Sequence, residues 1–164
     1  MWDDPRSYSK CPPMIFLMYY LGDTSPFNGS LRVLPGSHRK RHALRDMGVA
    51  HVASINQMDN GEDDPCFNSY RGEVDVLIKA DDLVICDARI FHASHANRSN
   101  ERRTVITVWF HPRYYNLLEE TRSWIYSGFQ RPHANWLIND LAKISRVMPD
   151  YEETVNPIKL NRIL

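Results

Sequence analysis

The sequence is short of several features that would point to a partner or a compartment. It has three cysteines in 164 residues, Cys11, Cys66 and Cys86. They form no CxxC pair and leave one over, which suggests neither a disulfide framework nor a thiolate zinc site. Free, buried thiols in a reducing compartment fit that count. There is no excess of either charge, because 20 Lys+Arg balance 20 Asp+Glu. Without a long-range field, nucleic acid and anionic membranes are poor partners, and a small molecule is the expected one. Long apolar runs are missing too. The longest, "MIFLMYYL" at 14–21, is far below the roughly 20 residues that cross a bilayer. The opening "MWDDPR" lacks the basic start and apolar core of a secretion signal. A cytoplasmic protein is therefore expected, in which the sequons at Asn28 and Asn97 are chance. Repeats and low-complexity tracts are absent.

What the sequence does have, over its first two thirds, is strands. "PMIFLMYYL" (13–21) and "SLRVL" (30–34) are short runs of aromatic and branched residues separated by the turn-forming "GDTSPFNG". "PGSH" (35–38) stops the second run, since Pro35 offers no ladder donor and Gly36 permits a sharp bend. "EVDVLIK" (73–79), "DDLVICD" (81–87) and "TVITVWF" (104–110) follow. The last is apolar on both pleat faces, which predicts a strand inside a covered sheet. Many short strands punctuated by turns predict a β-sandwich or barrel. The polar stretch 39–72 has weak periodicity and reads as a binding loop or lid. Beyond it, Leu137, Leu141, Ile144 and Met148 recur at helical spacing, predicting a helix entered through Pro132 and ended before Pro149.

The chemistry is concentrated in "DARIFHASHANRSNERR" (87–103). Read as a continuous strand, "DLVICDARIF" delivers His92 at its end, and the next strand delivers Arg103 near its start, placing both at the mouth of one sheet. Imidazole is a common ligand for mid-series metals, and a guanidinium holds a carboxylate through two parallel hydrogen bonds. A metal chelated by an organic acid fits that pair. On spacing alone, a satisfied surface or core histidine beside a solvated Arg-Arg turn is the commoner arrangement. His95, three residues on, points to the opposite face and reads as a substrate or solvent contact. Asp87 and Arg89 alternate on one face and read as structural support. "HRKRHALR" (38–45), with no interleaved aromatics, reads as a solvated loop.

Two motifs in order, "NGSLRVLPGSH" (28–38) and "DARIFHASHANRS" (87–99) followed by "ERR", resemble the phytanoyl-CoA dioxygenase family of Fe(II)- and 2-oxoglutarate-dependent oxygenases. The resemblance runs from about residue 13 to 113. It implies a mainly β fold, a double-stranded β-helix or jelly roll, with the C-terminal helical segment packed outside, in a single domain over 1–164 (β core about 13–113, helical segment about 114–164). It also implies Fe(II) held by two histidines and a carboxylate, with 2-oxoglutarate as co-substrate. By position, His92 matches a metal ligand, Arg103 the arginine on the 2-oxoglutarate tail, and Ser94 a hydroxyl contact to the same carboxylate. His38 lies in a matched motif but matches no ligand, and reads as part of a turn.

The family pattern also has a His-x-Asp element ahead of the first matched strand, and this chain lacks it. Asp3, with Met1 in the histidine's place, is one source of the carboxylate. The preferred expectation is that the element precedes Met1, because the chain opens directly ahead of a core strand. The resulting expectation is an oxygenase that hydroxylates a small organic substrate. A non-catalytic jelly-roll binding module is the alternative, and a cupin-like site using His38 or His42 with His92 is a more distant one.

Overall fold

The computed structural model describes residues 10–44, 68–128, 135–152 and 155–157. Its contacts divide the chain between Pro112 and Arg113 into two compact units. The first is a jelly roll, with six short strands among the described residues in two antiparallel sheets. One sheet has the order β4(Leu83–Asp87)-β1(Ile15–Tyr20)-β6(Val105–Phe110); the other has the order β3(Val74–Val76)-β2(Leu31–Val33)-β5(His92–Ser94). From β3 onward the chain changes sheet at each connection, so sequence neighbours become partners across the interior.

Alternation sets the inner face. Phe16, Met18 and Tyr20 share one side of β1 and lie opposite Trp109, Thr107 and Val105 of β6. Tyr20, Leu31 and Ile78 are at most 3% exposed and form the core, with Met18, Val33, Val76, Val84 and Val105 packed around them. Each such burial stabilises by about 1.5–3 kcal/mol. Ile78 reaches the core although β3 stops at Val76. Thr24 takes over its backbone bonds, accepting from the Ile78 N–H through Oγ1 at 2.9 Å and donating its own N–H to the Ile78 carbonyl at 2.7 Å.

Two expectations about strands are corrected. The continuous strand from 82 to 91 does not form: β4 ends at Asp87 and His92 opens a strand of the other sheet. Nor is "TVITVWF" covered on both faces, since Ile106, Val108 and Phe110 on its outer side are 52%, 50% and 44% exposed. Apolar composition on both faces was a correct reading of the residues, but it does not by itself supply a cover.

The second unit holds α1(Glu119–Ser127) and α2(Ile138–Ile144), the latter running into a 3-10 turn at Ser145–Val147. The expected helix is thus present but shorter, and its proposed entry at Pro132 lies outside the described residues. Helix α1 was not foreseen. Its N-terminus has no side-chain cap, so the usual start signal is missing, although Glu119 and Glu120 in the first turn complement the helix dipole. Within this unit Tyr151 is buried, with Tyr126 at 6.0 Å between ring centroids and the Arg122 guanidinium 5.6 Å from its ring.

Candidate functional site

The site begins where β4 ends. The Ile90 N–H donates to the Asp87 carbonyl at 3.0 Å, closing a turn. Inside it, Arg89 donates to Asp87 three times: N–H and Nε–H to Oδ1, each at 2.9 Å, and Nη2–H to Oδ2 at 2.6 Å. The side chains are 2% and 15% exposed. Burial pushes the Asp87 carboxyl up, but the hydrogen bonds and charge of Arg89, with a contribution from His38, outweigh it and hold the pKa below the usual carboxylate value. This buried fork is the structural support expected of the two residues, and it turns the chain across to the second sheet.

The "PGSH" turn docks on the same corner. Gly36 takes φ +80°, a conformation that favours glycine. The turn's Ser37 Oγ accepts from the Phe91 N–H at 2.9 Å, and the Leu34 N–H donates to the Phe91 carbonyl at 2.9 Å. The two sequence motifs therefore meet at the residue just before His92. His38 belongs to this turn, and its Nε2 accepts from Arg39 Nε at 3.1 Å.

His92 faces inward from β5, opposite Val33, and its ring lies 4.9 Å from that of Phe16 on the facing sheet. Its Nδ1 is 3.0 Å from the Ile90 carbonyl. A carbonyl can only accept, so Nδ1 carries the proton and Nε2 the lone pair, the tautomer that ligates a metal. Ser94, opposite Leu31, shares this inner face. His95 turns away: its N–H donates to the Ser30 carbonyl at 3.0 Å, and its Nε2 lies 2.6 Å from Asp75 Oδ1.

Arg103 arrives by a loop built from asparagine chemistry. Asn97 Oδ1 accepts from the Ser99 N–H at 3.0 Å and from Ser99 Oγ at 2.7 Å, while its Nδ2 donates to the Glu101 carbonyl at 2.8 Å. Asn97 also bridges to Asn28, whose side chain bonds Ser25 and Asp23. Both sequon asparagines are thus working loop residues. Gly29, at φ +92°, leaves the space the arginine occupies: a Cβ there would stand 3.2 Å from Arg103 Nε and 3.1 Å from the His95 carbonyl oxygen. Arg103 is half-buried and its Nη1 is buried with no hydrogen-bond partner, whereas Arg102 is exposed.

His92 and Ser94 therefore look across the interior toward the strand that Arg103 leads into. The expectation that His92 and Arg103 lie on adjacent strands of one sheet is corrected, because the Asp87–Arg89 turn moves His92 to the other sheet. Among the described residues no group of three or more His, Cys, Asp or Glu side chains is placed to hold a metal. His42 Nδ1 accepts from the Leu44 N–H at 3.2 Å, and its ring packs on Tyr70 and Phe91. Asp3 and most of the expected lid, 45–67, lie outside the described residues. Cys86 is free and half-buried rather than fully buried; burial, then the Asp87 charge, pushes its thiol pKa up. No helix among the described residues is long and apolar enough to cross a membrane.

Sequence reasoning passed over Tyr20 and gave no role to Gly29 or Ser37. The last two carried a signal, since a glycine and a serine at fixed places in a matched motif invite the question of what packs against them.

Among curated proteins, none matches the chain by sequence. Solved structures similar to it include HygX from Streptomyces hygroscopicus with nickel and 2-oxoglutarate bound, at 19% identity and TM-score 0.46, over 63% of this chain and 37% of that one. Another is the non-heme alpha ketoglutarate dependent carbocyclase SnoK from nogalamycin biosynthesis, at 17% identity and TM-score 0.41, over 94% of this chain and 49% of that one. The chain thus spans less than half the length of either. The family model for phytanoyl-CoA dioxygenase matches residues 2–105, well over half of the sequence and both motifs that build this corner, and the chain belongs to that family.

Proposed function

We propose that the chain carries the co-substrate pocket of an Fe(II)- and 2-oxoglutarate-dependent oxygenase that hydroxylates a small organic molecule, acting in the cytoplasm. The observation that carries this reading is the Arg103 guanidinium, with a buried Nη1 that has no partner. A buried donor left unmade costs about 1–3 kcal/mol, and a carboxylate satisfies it with a charge-assisted bond. The donor set therefore fits 2-oxoglutarate: Arg103 would hold the carboxylate far from the metal, and the Ser94 hydroxyl would donate to the same group. His92 Nε2 would hold the metal.

Bound Fe(II) and 2-oxoglutarate would together supply the oxidising chemistry, consuming O₂ and releasing succinate and CO₂. The chain's own contribution is placement. The Ile90 carbonyl fixes the tautomer of His92, and Phe16 fixes the direction of its ring. Val33 and Phe16 give the metal side an apolar wall. The Asn97 loop and the bare Cα of Gly29 set where the guanidinium ends. The remaining metal ligands come from outside the described residues, Asp3 being one candidate carboxylate within the sequence.

A second reading, a carboxylate-binding jelly roll without metal chemistry, is favoured by one observation: among the described residues no group of three or more His, Cys, Asp or Glu side chains is placed to hold a metal. Succinate formation from 2-oxoglutarate, with and without Fe(II) and with and without a substrate panel, separates the two. Iron-dependent succinate above the His92→Ala background supports the oxygenase; 2-oxoglutarate binding that is indifferent to metal supports the binding module.

A further inference from the structure

We infer that Tyr20 is a positioning residue for the carboxylate clamp: its buried phenol sets the direction of the Arg103 guanidinium, which Gly29 also borders. This inference rests on the co-substrate reading above and adds a residue to it. Tyr20 is the last residue of β1, pairs with Val105, and is 0% exposed. Arg103 stands two residues before Val105 on the same pleat face, the diagonal relation in which an aromatic ring and a long side chain reach one another across two strands. The backbone holds that relation beyond the strand, since the Leu21 N–H donates to the Thr104 carbonyl at 3.1 Å.

The phenol's own surroundings are unusual. Among the described residues its hydroxyl donates to a thioether alone, Met18 Sδ at 3.9 Å, which is a weak acceptor. The oxygen's lone pairs remain available to a cation. Burial pushes the Tyr20 pKa up, and the nearby Arg103 charge pulls the other way. Gly29 borders the guanidinium at Nε, 3.2 Å from where a Cβ would stand. The guanidinium is therefore confined by Gly29 on one side and stands diagonal to the phenol across the two strands, while Nη1 keeps its buried, unpartnered N–H. Arginine has four rotatable side-chain bonds, and a clamp that must find its geometry on each binding event loses affinity to ordering. A fixed phenol oxygen removes much of that loss. A phenylalanine would keep the ring and its packing but leave the guanidinium free to swing.

The test is calorimetric titration of the full chain, with Ni(II) as a redox-inert metal, using 2-oxoglutarate and the monocarboxylate 2-oxobutyrate. The second ligand can chelate metal but cannot reach Arg103. Tyr20→Phe should weaken 2-oxoglutarate about tenfold and leave 2-oxobutyrate unchanged, so that the ratio of the two affinities falls by that factor. A merely structural role would lower both affinities together and leave the ratio where it was, which would overturn the inference. Arg103→Ala is the control for the underlying reading. If it leaves 2-oxoglutarate binding intact, or the parent binds none, the co-substrate pocket itself is wrong; if it abolishes the preference while Tyr20→Phe does not, only the role of Tyr20 is wrong. A second measurement needs no change at Tyr20. With tyrosine labelled at the ring carbon bearing oxygen, Arg103→Ala should shift one of the eight tyrosine signals, a signal that does not titrate with the exposed phenols. Absence of any such shift overturns the inference as surely.

Discussion

Phe16 and His92, 76 residues apart in sequence and on different sheets, pack ring to ring at 4.9 Å with their planes inclined by 41°. The contact ties the proposed metal ligand to the core, since Phe16 is 3% exposed. Phe16→Leu keeps most of the volume and should cost about 1–1.5 kcal/mol of stability, measured by urea unfolding. It removes the flat surface that orients the imidazole, so Ni(II) affinity should fall about tenfold. Equal metal affinity in the two proteins would mean that the ring is held by its bond to Ile90 alone.

Asp87→Asn should destabilise the first unit by about 3 kcal/mol, because it takes from the buried Arg89 guanidinium the carboxylate to which it donates two bonds. The pH dependence follows from the sign of the shift. The folded carboxyl titrates below its unfolded value of about 3.9, so its contribution is fully present above that value and is lost as pH falls through the lower, folded one. Acid unfolding of the parent should therefore be steeper below about pH 4 than that of Asp87→Asn. Parallel acid profiles for the two proteins would contradict this account.

Gly29→Ala places a Cβ 3.1 Å from a backbone oxygen and 3.2 Å from Arg103 Nε, at a backbone angle of +92°. A loss of roughly 1–2 kcal/mol is expected from the backbone alone. Displacement of the guanidinium should weaken 2-oxoglutarate binding beyond what the lost stability explains, and calorimetry at a temperature where both proteins are folded measures it. Unchanged affinity would mean that the arginine has room to spare.

His92→Ala should remove most of the metal affinity, while His95→Ala should leave it near the parent value, since His95 is engaged outside the inner face by Asp75 at 2.6 Å. Titration with Ni(II) compares the two directly. A larger loss at His95 would move the site to the outer face of β3.

Much of this arrangement was legible in the residues. Short apolar runs such as "MIFLMYYL" and "VITVWF" report strands, whose side chains change face every two residues, and many such strands predict a sandwich or barrel, with the jelly roll implied by the family resemblance. The inner-face parity of His92 with Ser94, and of Arg103 against Arg102, came from the same period. The jump of β5 to the second sheet was not legible. "DLVICDARIF" has the composition of one long strand, and what breaks it is an arginine folding back on an aspartate two residues earlier, a contact without a periodic signature. Tyr20 was invisible for a related reason, because an aromatic residue in a strand reads as core whether or not its hydroxyl has a task. The short start of α2 and the uncapped start of α1 escaped because capping signals were absent rather than misread.

The central claim is that Arg103 clamps the co-substrate while His92 holds the metal. Anaerobic titration of Fe(II) and 2-oxoglutarate, followed by the absorbance of the metal-to-co-substrate charge-transfer band, tests it in the parent, Arg103→Ala and Arg102→Ala. Loss of a desolvated charge partner costs about 2–5 kcal/mol, so Arg103→Ala should weaken 2-oxoglutarate by about thirty-fold to several thousand-fold with Fe(II) affinity in its absence unchanged. Arg102→Ala, at an exposed position, should match the parent. A larger loss at Arg102, or no loss at either arginine, would contradict the account.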